Sequence, residues 1–425
     1  MTFLKLLENK WLRAALPALL IHCSIGTVYC WSSFAQNLAE SLQVTSQVIG
    51  GAFSLAIFCL GMSAAFAGPF IERNIHRASG LACLFFTTGL VGTGLTISLA
   101  PVLGSRLSLL GIYLFYGVIM GIGLGIGYLT PVKTLMLWFA DHKGLGTGIS
   151  IMGFGLAKAI ASPLMNFLQD QVGLATMFYI LAGLYFTMMY TGHLLLKKPG
   201  QHDEKAISAP INRLALFRNK TFLGIWLMFY LNISCGLALI AYEKPLLQTT
   251  ALGLVAISLV QSLTAGANAS GRLVLSTLSD RLADRNHIYK LIFFACLLVC
   301  GLGLSRASAA GVIILMLLVV NTGYGGGFST MPALLASRFG MTHVSTIHGV
   351  VLSAWAFAGL TGNQVAALIL KHFGDYQPLF LCLALFYGLG FFISHFLVSP
   401  AKAPALAPPT SGPLAKRELG RSTGR

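Results

Sequence analysis

Arg272 lies in the middle of a long apolar stretch, on a polar stripe formed by Gln261, Thr264, Asn268, Arg272 and Ser276. Residues that recur every three to four positions share one face of a helix. A permanently charged guanidinium at membrane depth is costly, so this face is expected to meet a protein interior or a watery cavity rather than lipid. Snorkelling does not relieve it: Asp280, the first acid beyond it, is eight residues away, about 12 Å along a helix axis. All twelve Asp and Glu fall in expected loops, tails or helix ends, while Lys158 is a second cation inside an apolar span, with Gly155 and Ser162 on its face. The missing negative charge is therefore expected to arrive with a small anionic ligand.

Other side chains could complete such a site. Tyr29, Trp31, Tyr128, Tyr324 and Trp355 lie near the middles of apolar spans. Core packing is the bland reading of each, but their hydroxyl and indole groups can donate to carboxylate oxygens while the rings exclude water. His22 and His348 read as structural histidines, with proton coupling as the alternative. Lys133, five residues before Trp138, reads as a lysine snorkelling to a helix end. The eight cysteines read as inert packing residues without metal-ligand grouping. The glycine run at 121–127 has no βαβ setting and reads as close helix packing, not as a nucleotide loop. No nucleophile–base pair, metal cluster or phosphate loop is present, so neither an enzyme nor a cofactor is expected.

The elements that position these residues follow from composition. Hydrophobic residues make up 56% of the 425 positions and charged residues 9%, and the mean hydropathy is +0.78; soluble domains carry roughly a quarter charged residues. The chain therefore reads as an all-α, multi-pass membrane protein. Apolar runs long enough to cross a ~30 Å hydrocarbon core fall near 13–35, 47–70, 80–100, 108–132, 147–168, 174–196, 221–242, 253–277, 288–305, 310–335, 347–370 and 379–398. Twelve transmembrane helices are expected. The first is too long and too polar in its second half for a cleaved signal peptide.

Of the 28 Lys and Arg, 21 fall on one side of these spans, four on the other, and Lys133, Lys158 and Arg272 within them. The positive-inside rule then places both termini in the cytoplasm, in a cell inner (plasma) membrane protein. The net charge of +16 reports this topology; nucleic-acid binding would need a soluble basic face. The expected partners are the lipid bilayer and a small anion, and the chain is expected to act as a monomer.

The polar stretch 197–220 divides the spans six and six, giving an N-terminal half (1–196), a cytoplasmic linker (197–220), a C-terminal half (221–399) and a Pro/Ala-rich disordered tail (400–425). The halves echo each other. Gly68 to Arg77, containing Glu72 and Arg73, aligns with Ser276 to Arg285, containing Asp280 and Arg281, at an offset of 208; the segments ending at Pro131 and Pro332 align at 201. Six spans per repeat keep both copies in the same membrane orientation.

These repeated acid-then-arginine loops resemble the cytoplasmic signature of the major facilitator superfamily. Within it the chain resembles the oxalate/formate antiporter family, related to monocarboxylate transporters. The resemblance rests on Gly26-Thr-Val-Tyr29-Cys-Trp31-Ser32, Gly125 to Pro131, Trp138 to Gly148, Tyr324 to Phe328 with Met331-Pro332, and His348-Gly349 through Ala354-Trp355. It implies a secondary transporter of small carboxylates such as formate, oxalate, pyruvate or lactate, working by exchange, with Glu72, Arg73, Asp280 and Arg281 in the conformational signature. It also implies an Arg on helix 8 and a Lys on helix 11 that hold two carboxylates. Arg272 matches the first, whereas 347–370 contains no Lys and Lys371 lies just beyond. Lys158, on the repeat counterpart of helix 11, is the candidate second cation. The rival readings are a proton-coupled multidrug exporter of the same fold, which needs an acid at depth, and a non-transporting anion sensor.

Overall fold

The computed structural model describes residues 9–199, 212–306 and 309–398, without the side chains of residues 46, 47 and 363. Half of the expected linker, 200–211, and the tail at 400–425 lie outside the described residues. Within them the chain is helical, with no strand. Ten stretches are long and apolar enough to cross a membrane. One of these, Ile75–Trp138, is a hairpin of two helices, because Gly104 at φ 72° breaks it where only glycine turns without strain. The helix that carries Arg272 is not among the ten, since its polar stripe dilutes its apolar content.

Twelve long helices result, at the expected places. They are α1 (Trp11–Ser33), α2 (Ser46–Arg73), α3 (75–103), α4 (105–138), α5 (Lys143–Val172), α6 (Leu174–Leu195), α7 (Lys220–Ala241), α8 (Leu254–Ser279), α9 (Asn286–Ser305), α10 (Ala310–Phe339), α11 (Val344–Phe373) and α12 (Gln377–Phe396). Most run a few residues past the expected apolar limits because their last turns are polar. Thr45 and Asn219 accept backbone N–H groups at the starts of α2 and α7. Short helices at Ala35–Ser41, Arg213–Leu216 and Glu243–Gln248 fill connections. Within α1 the winding tightens to 3₁₀ turns over Gly26–Ser33.

Packing repeats along the chain. In the first six helices α1 packs on α5 and α6, α3 on α6 and α4, and α2 on α4; in the last six α7 packs on α11 and α12, α9 on α12 and α10, and α8 on α10. The same pairs recur six helices later. The two sets meet through α2 against α11 and α5 against α8 and α10. Leu84, Leu110, Ile160, Leu298 and Leu385 are among the large apolar side chains left exposed on the outside, as a lipid-facing surface requires.

Small residues bring the two sets together. A methyl group on Gly61 of α2 would sit 2.6 Å from the Leu352 carbonyl oxygen and 2.7 Å from the Ala356 Cβ on α11. Gly61→Val should therefore push α2 and α11 apart. Overpacking of this kind costs about 1–3 kcal/mol, enough to depopulate the packed arrangement several-fold or more. Spin labels at Asn74 and Thr342, at the neighbouring ends of α2 and α11, should report a longer distance in this variant; an unchanged distance would show that the contact is not limiting.

Candidate functional site

Arg272 is 1% exposed and sits at the junction of the two sets of helices. Its Nε donates to Asn268 Oδ1 at 3.0 Å, and Nη1 donates across to the Ile151 carbonyl of α5 at 3.4 Å. The guanidinium lies over the rings of Phe154 (5.8 Å) and Phe328 (5.4 Å). Gly155 makes room for it, since a Cβ there would lie 3.0 Å from Nε. Among the described residues no carboxylate pairs with it: the ion pairs are Lys133–Glu72, Arg285–Asp280 and Arg338–Asp284.

Around this cation the structure brings together four of the five aromatic residues picked from sequence. Tyr29 on α1 and Tyr324 on α10 hold each other through their hydroxyls at 3.1 Å, across the two sets. Trp355 on α11 packs edge-on against Phe328 (4.7 Å), Tyr128 (5.7 Å) and Phe154 (5.8 Å). Tyr128 on α4 lies between His22 (5.3 Å) and His348 (5.9 Å). His22 is tied down by the Tyr128 carbonyl and the Ser150 hydroxyl. By contrast Tyr128 Oη, Trp355 Nε1 and His348 Nε2 are buried without a hydrogen-bond partner. Orphaned buried polar atoms are rare because each costs free energy, and here three of them share one aromatic chamber with an unneutralised cation.

Trp31 is not part of the chamber. It packs on Phe34, Phe53 and Tyr116 of its own half, because two residues along a 3₁₀ or α turn point it away from Tyr29. Lys158 is exposed, one turn beyond Gly155 and outside the chamber. Gln261 is half-buried, about two turns from Asn268 on the same stripe. Sequence reasoning did not find Phe154 and Phe328, although Phe328 follows Tyr324 by one turn and Phe154 precedes Gly155. It also placed Glu243 at a helix end without a role. That residue is buried, and its carboxylate accepts the hydroxyl of Thr264 on the α8 stripe. Burial pushes the Glu243 carboxyl above its usual range, against the opposing effects of Thr264 and of the Lys158 charge.

The end of the bundle where α6 leads to α7, here the linker end, is closed by two matching devices. Glu72, in the last turn of α2, accepts the backbone N–H groups of Ser345 (2.6 Å) and Thr346 (3.3 Å) at the start of α11. Asp280, after α8, accepts those of Gly144 and Leu145, both 2.8 Å, at the start of α5. Each half thus places a carboxylate on a helix N-terminus of the other, where the free N–H groups and the helix dipole favour negative charge. The cations that back these acids are Lys133 and Arg285, while Arg73 and Arg281 are exposed. Lys133 does not snorkel as the sequence suggested: it is 8% exposed and turned inward by its pairing with Glu72. Among the described residues, the hydrogen bonds between the halves include these four together with Tyr29–Tyr324, Arg272–Ile151 and Thr147 to the Ser329 carbonyl, all at the Arg272 cluster or on its linker side.

A family model described as Major Facilitator Superfamily matches residues 18–363. Among curated relatives, the chain is 24% identical over 398 residues to the oxalate:formate antiporter of Oxalobacter formigenes, covering 92% of each chain. It is 24% identical to apicoplast pyruvate carrier 1 of Toxoplasma gondii over 82% of each. Its fold matches the proton:xylose symporter XylE with a TM-score of 0.71 at 14% identity, over 91% of this chain and 96% of that one.

If the two carboxylates hold the linker end shut, Glu72→Gln with Asp280→Asn should open it. Each change keeps an acceptor oxygen but removes its charge, a loss of about 1–2 kcal/mol at a partly buried helix N-terminus. Together they should raise the linker-open to linker-closed ratio roughly thirty- to several-hundredfold, read as labelling by a hydrophilic thiol reagent of a cysteine placed at Ser345, whose buried hydroxyl has no hydrogen-bond partner. Unchanged labelling would count against the device.

Proposed function

The chain belongs to the Major Facilitator Superfamily, a family of membrane transporters and not of enzymes, and on that footing we propose that it carries small carboxylate anions by exchange, through alternating access. The observation that supports this most is Arg272, buried without a carboxylate partner in the same aromatic cluster as three unpartnered polar atoms. A carboxylate can accept the guanidinium fork through two oxygens, while Tyr128, Trp355 and His348 remain for another substrate oxygen. With Lys158 outside, the chamber offers one fixed cation and neutral donors. That set suits a monocarboxylate carrying a keto or hydroxyl oxygen better than a dicarboxylate, and the aromatic walls suit a small planar group.

Exchange follows from the same charge. A carrier that returns empty must move an uncompensated buried cation through its closed states, whereas a carrier that returns loaded does not. In the orientation proposed from the positive-inside pattern, the linker end is cytoplasmic and the structure corresponds to a cytoplasm-closed state of a plasma-membrane protein. A cation exporter fits less well: Glu243 is an acid near the path, but the chamber itself is cationic. The oxalate:formate antiporter and the pyruvate carrier support a carboxylate, and the position of the α11 lysine, Lys371, exposed in the last turn rather than mid-helix, separates this site from the two-cation arrangement expected for oxalate.

Counterflow in proteoliposomes with formate, lactate, pyruvate, oxalate and larger dicarboxylates tests this reading. Pyruvate or lactate should exchange faster than oxalate. Arg272→Gln should abolish exchange with normal insertion, and Arg272→Lys should restore little because an ammonium lacks the planar fork. Tyr128→Phe or Trp355→Phe should raise KM by a few-fold to about tenfold, the worth of one hydrogen bond to a neutral oxygen. Wild-type exchange by Arg272→Gln protein would sink the assignment.

A further inference from the structure

Beyond the chamber, on the side opposite the linker end, two opposite charges face each other from the two halves. α5 and α8 run antiparallel: Gly144 meets Ser276 and Asp280, while Gly155 meets Arg272 and Ala269. Continuing that register, Lys158 lies one turn farther out on α5, opposite the stretch of α8 between Arg272 and Thr264. Thr264 is eight residues from Arg272 on the same face, about 12 Å along the axis. Its hydroxyl holds the Glu243 carboxylate, so an acid from the start of Glu243–Gln248 is delivered onto the polar stripe of α8.

Neither charge is satisfied. Glu243 is 8% exposed and, among the described residues, its carboxylate has only the Thr264 hydroxyl as a hydrogen-bond partner. Lys158 is exposed and makes no ion pair with a described residue. The ammonium is near enough to favour the ionised carboxyl, yet the two are not paired in the structure. A buried carboxylate held by one neutral hydroxyl is under-compensated. The linker-end acids, by contrast, each have two backbone donors and a cation.

We propose that Glu243 is the resident counter-ion of Lys158: as the halves close over the far end its carboxylate takes the ammonium, and a substrate carboxylate arriving from that side competes for the same cation. The competition rests on the carboxylate reading above; the closing pair does not. Lys158 then receives the anion before Arg272 rather than beside it. Glu243 completes a division of labour in which two acid-to-backbone contacts shut one end and one side-chain ion pair shuts the other.

The experiment is a charge exchange read by distance and by uptake. Spin labels at Gln36 and Thr249, on the two halves at the far end, report its opening in purified full-length protein without substrate. Glu243→Gln and Lys158→Gln should each raise the far-open to far-closed ratio up to about fivefold, and Lys158→Glu combined with Glu243→Lys should restore it. Glu243→Gln should also lower the KM for pyruvate added to the far side several-fold, because the internal competitor is gone, whereas Lys158→Gln should raise it. Unchanged distances in the single variants, or an exchange no closer to wild type than either of them, would overturn the pair. An unmoved KM in Glu243→Gln protein that still transports would overturn the competition. If carboxylate counterflow is absent from the wild type while the charge exchange restores the distances, the carboxylate reading fails and the pair stands.

Discussion

An arginine that the protein itself does not neutralise governs the rest of the architecture. Arg272 is held by an amide oxygen, a carbonyl and two aromatic faces, interactions that orient a guanidinium without cancelling its charge. Desolvating such a group costs several kcal/mol unless a counter-charge is supplied. Its position between the halves makes that cost a property of the closed chamber rather than of either half alone. On the proposed function, an anion bound there lowers the free energy of the closed state, which would make loading and closure the same event energetically.

Closure at the linker end has a different physical basis. There the acids are met by helix N-termini of the opposite half, with Lys133 and Arg285 behind them. Backbone donors need no rotamer search and no side-chain entropy to engage, so such contacts form and break cleanly as rigid halves rock. Because the packing pairs recur six helices later, one device is built twice, once on each lateral seam. The two seams, α2 with α11 and α5 with α8, carry glycines where the backbones approach most closely.

How far this was legible in the sequence depended on whether an interaction lay along one helix or between several. Arg272 and its stripe announce themselves through three-to-four spacing, and Tyr324 through its glycine-rich neighbourhood. Twelve spans follow from apolar length alone, including the one whose polar stripe weakens its hydropathy. Lys133 was misread because its partner Glu72 lies on another helix, which no local spacing records. Trp31 was grouped with Tyr29 by proximity, although two residues of helical turn send it to a different neighbour. Glu243 gave no periodic signal at all; only the folding of a short helix back onto Thr264 makes it part of the path. Long-range polar contacts, which carry most of the site, are what single-sequence periodicity cannot encode.

The 3₁₀ winding of α1 over Gly26–Ser33 has a torsional consequence. A 3₁₀ turn advances the chain by about 120° per residue and an α turn by about 100°, so each residue that rewinds unscrews the segment by roughly 20°. Tyr29 is the fourth residue of that stretch. Relaxation of the turns up to it would swing its phenol through about 80°, out of reach of Tyr324, without moving the Leu16–Ile25 portion of α1 that packs on α5 and α6. The hydroxyl pair that bridges the halves is thus mounted on a segment whose change of pitch alone is enough to part it.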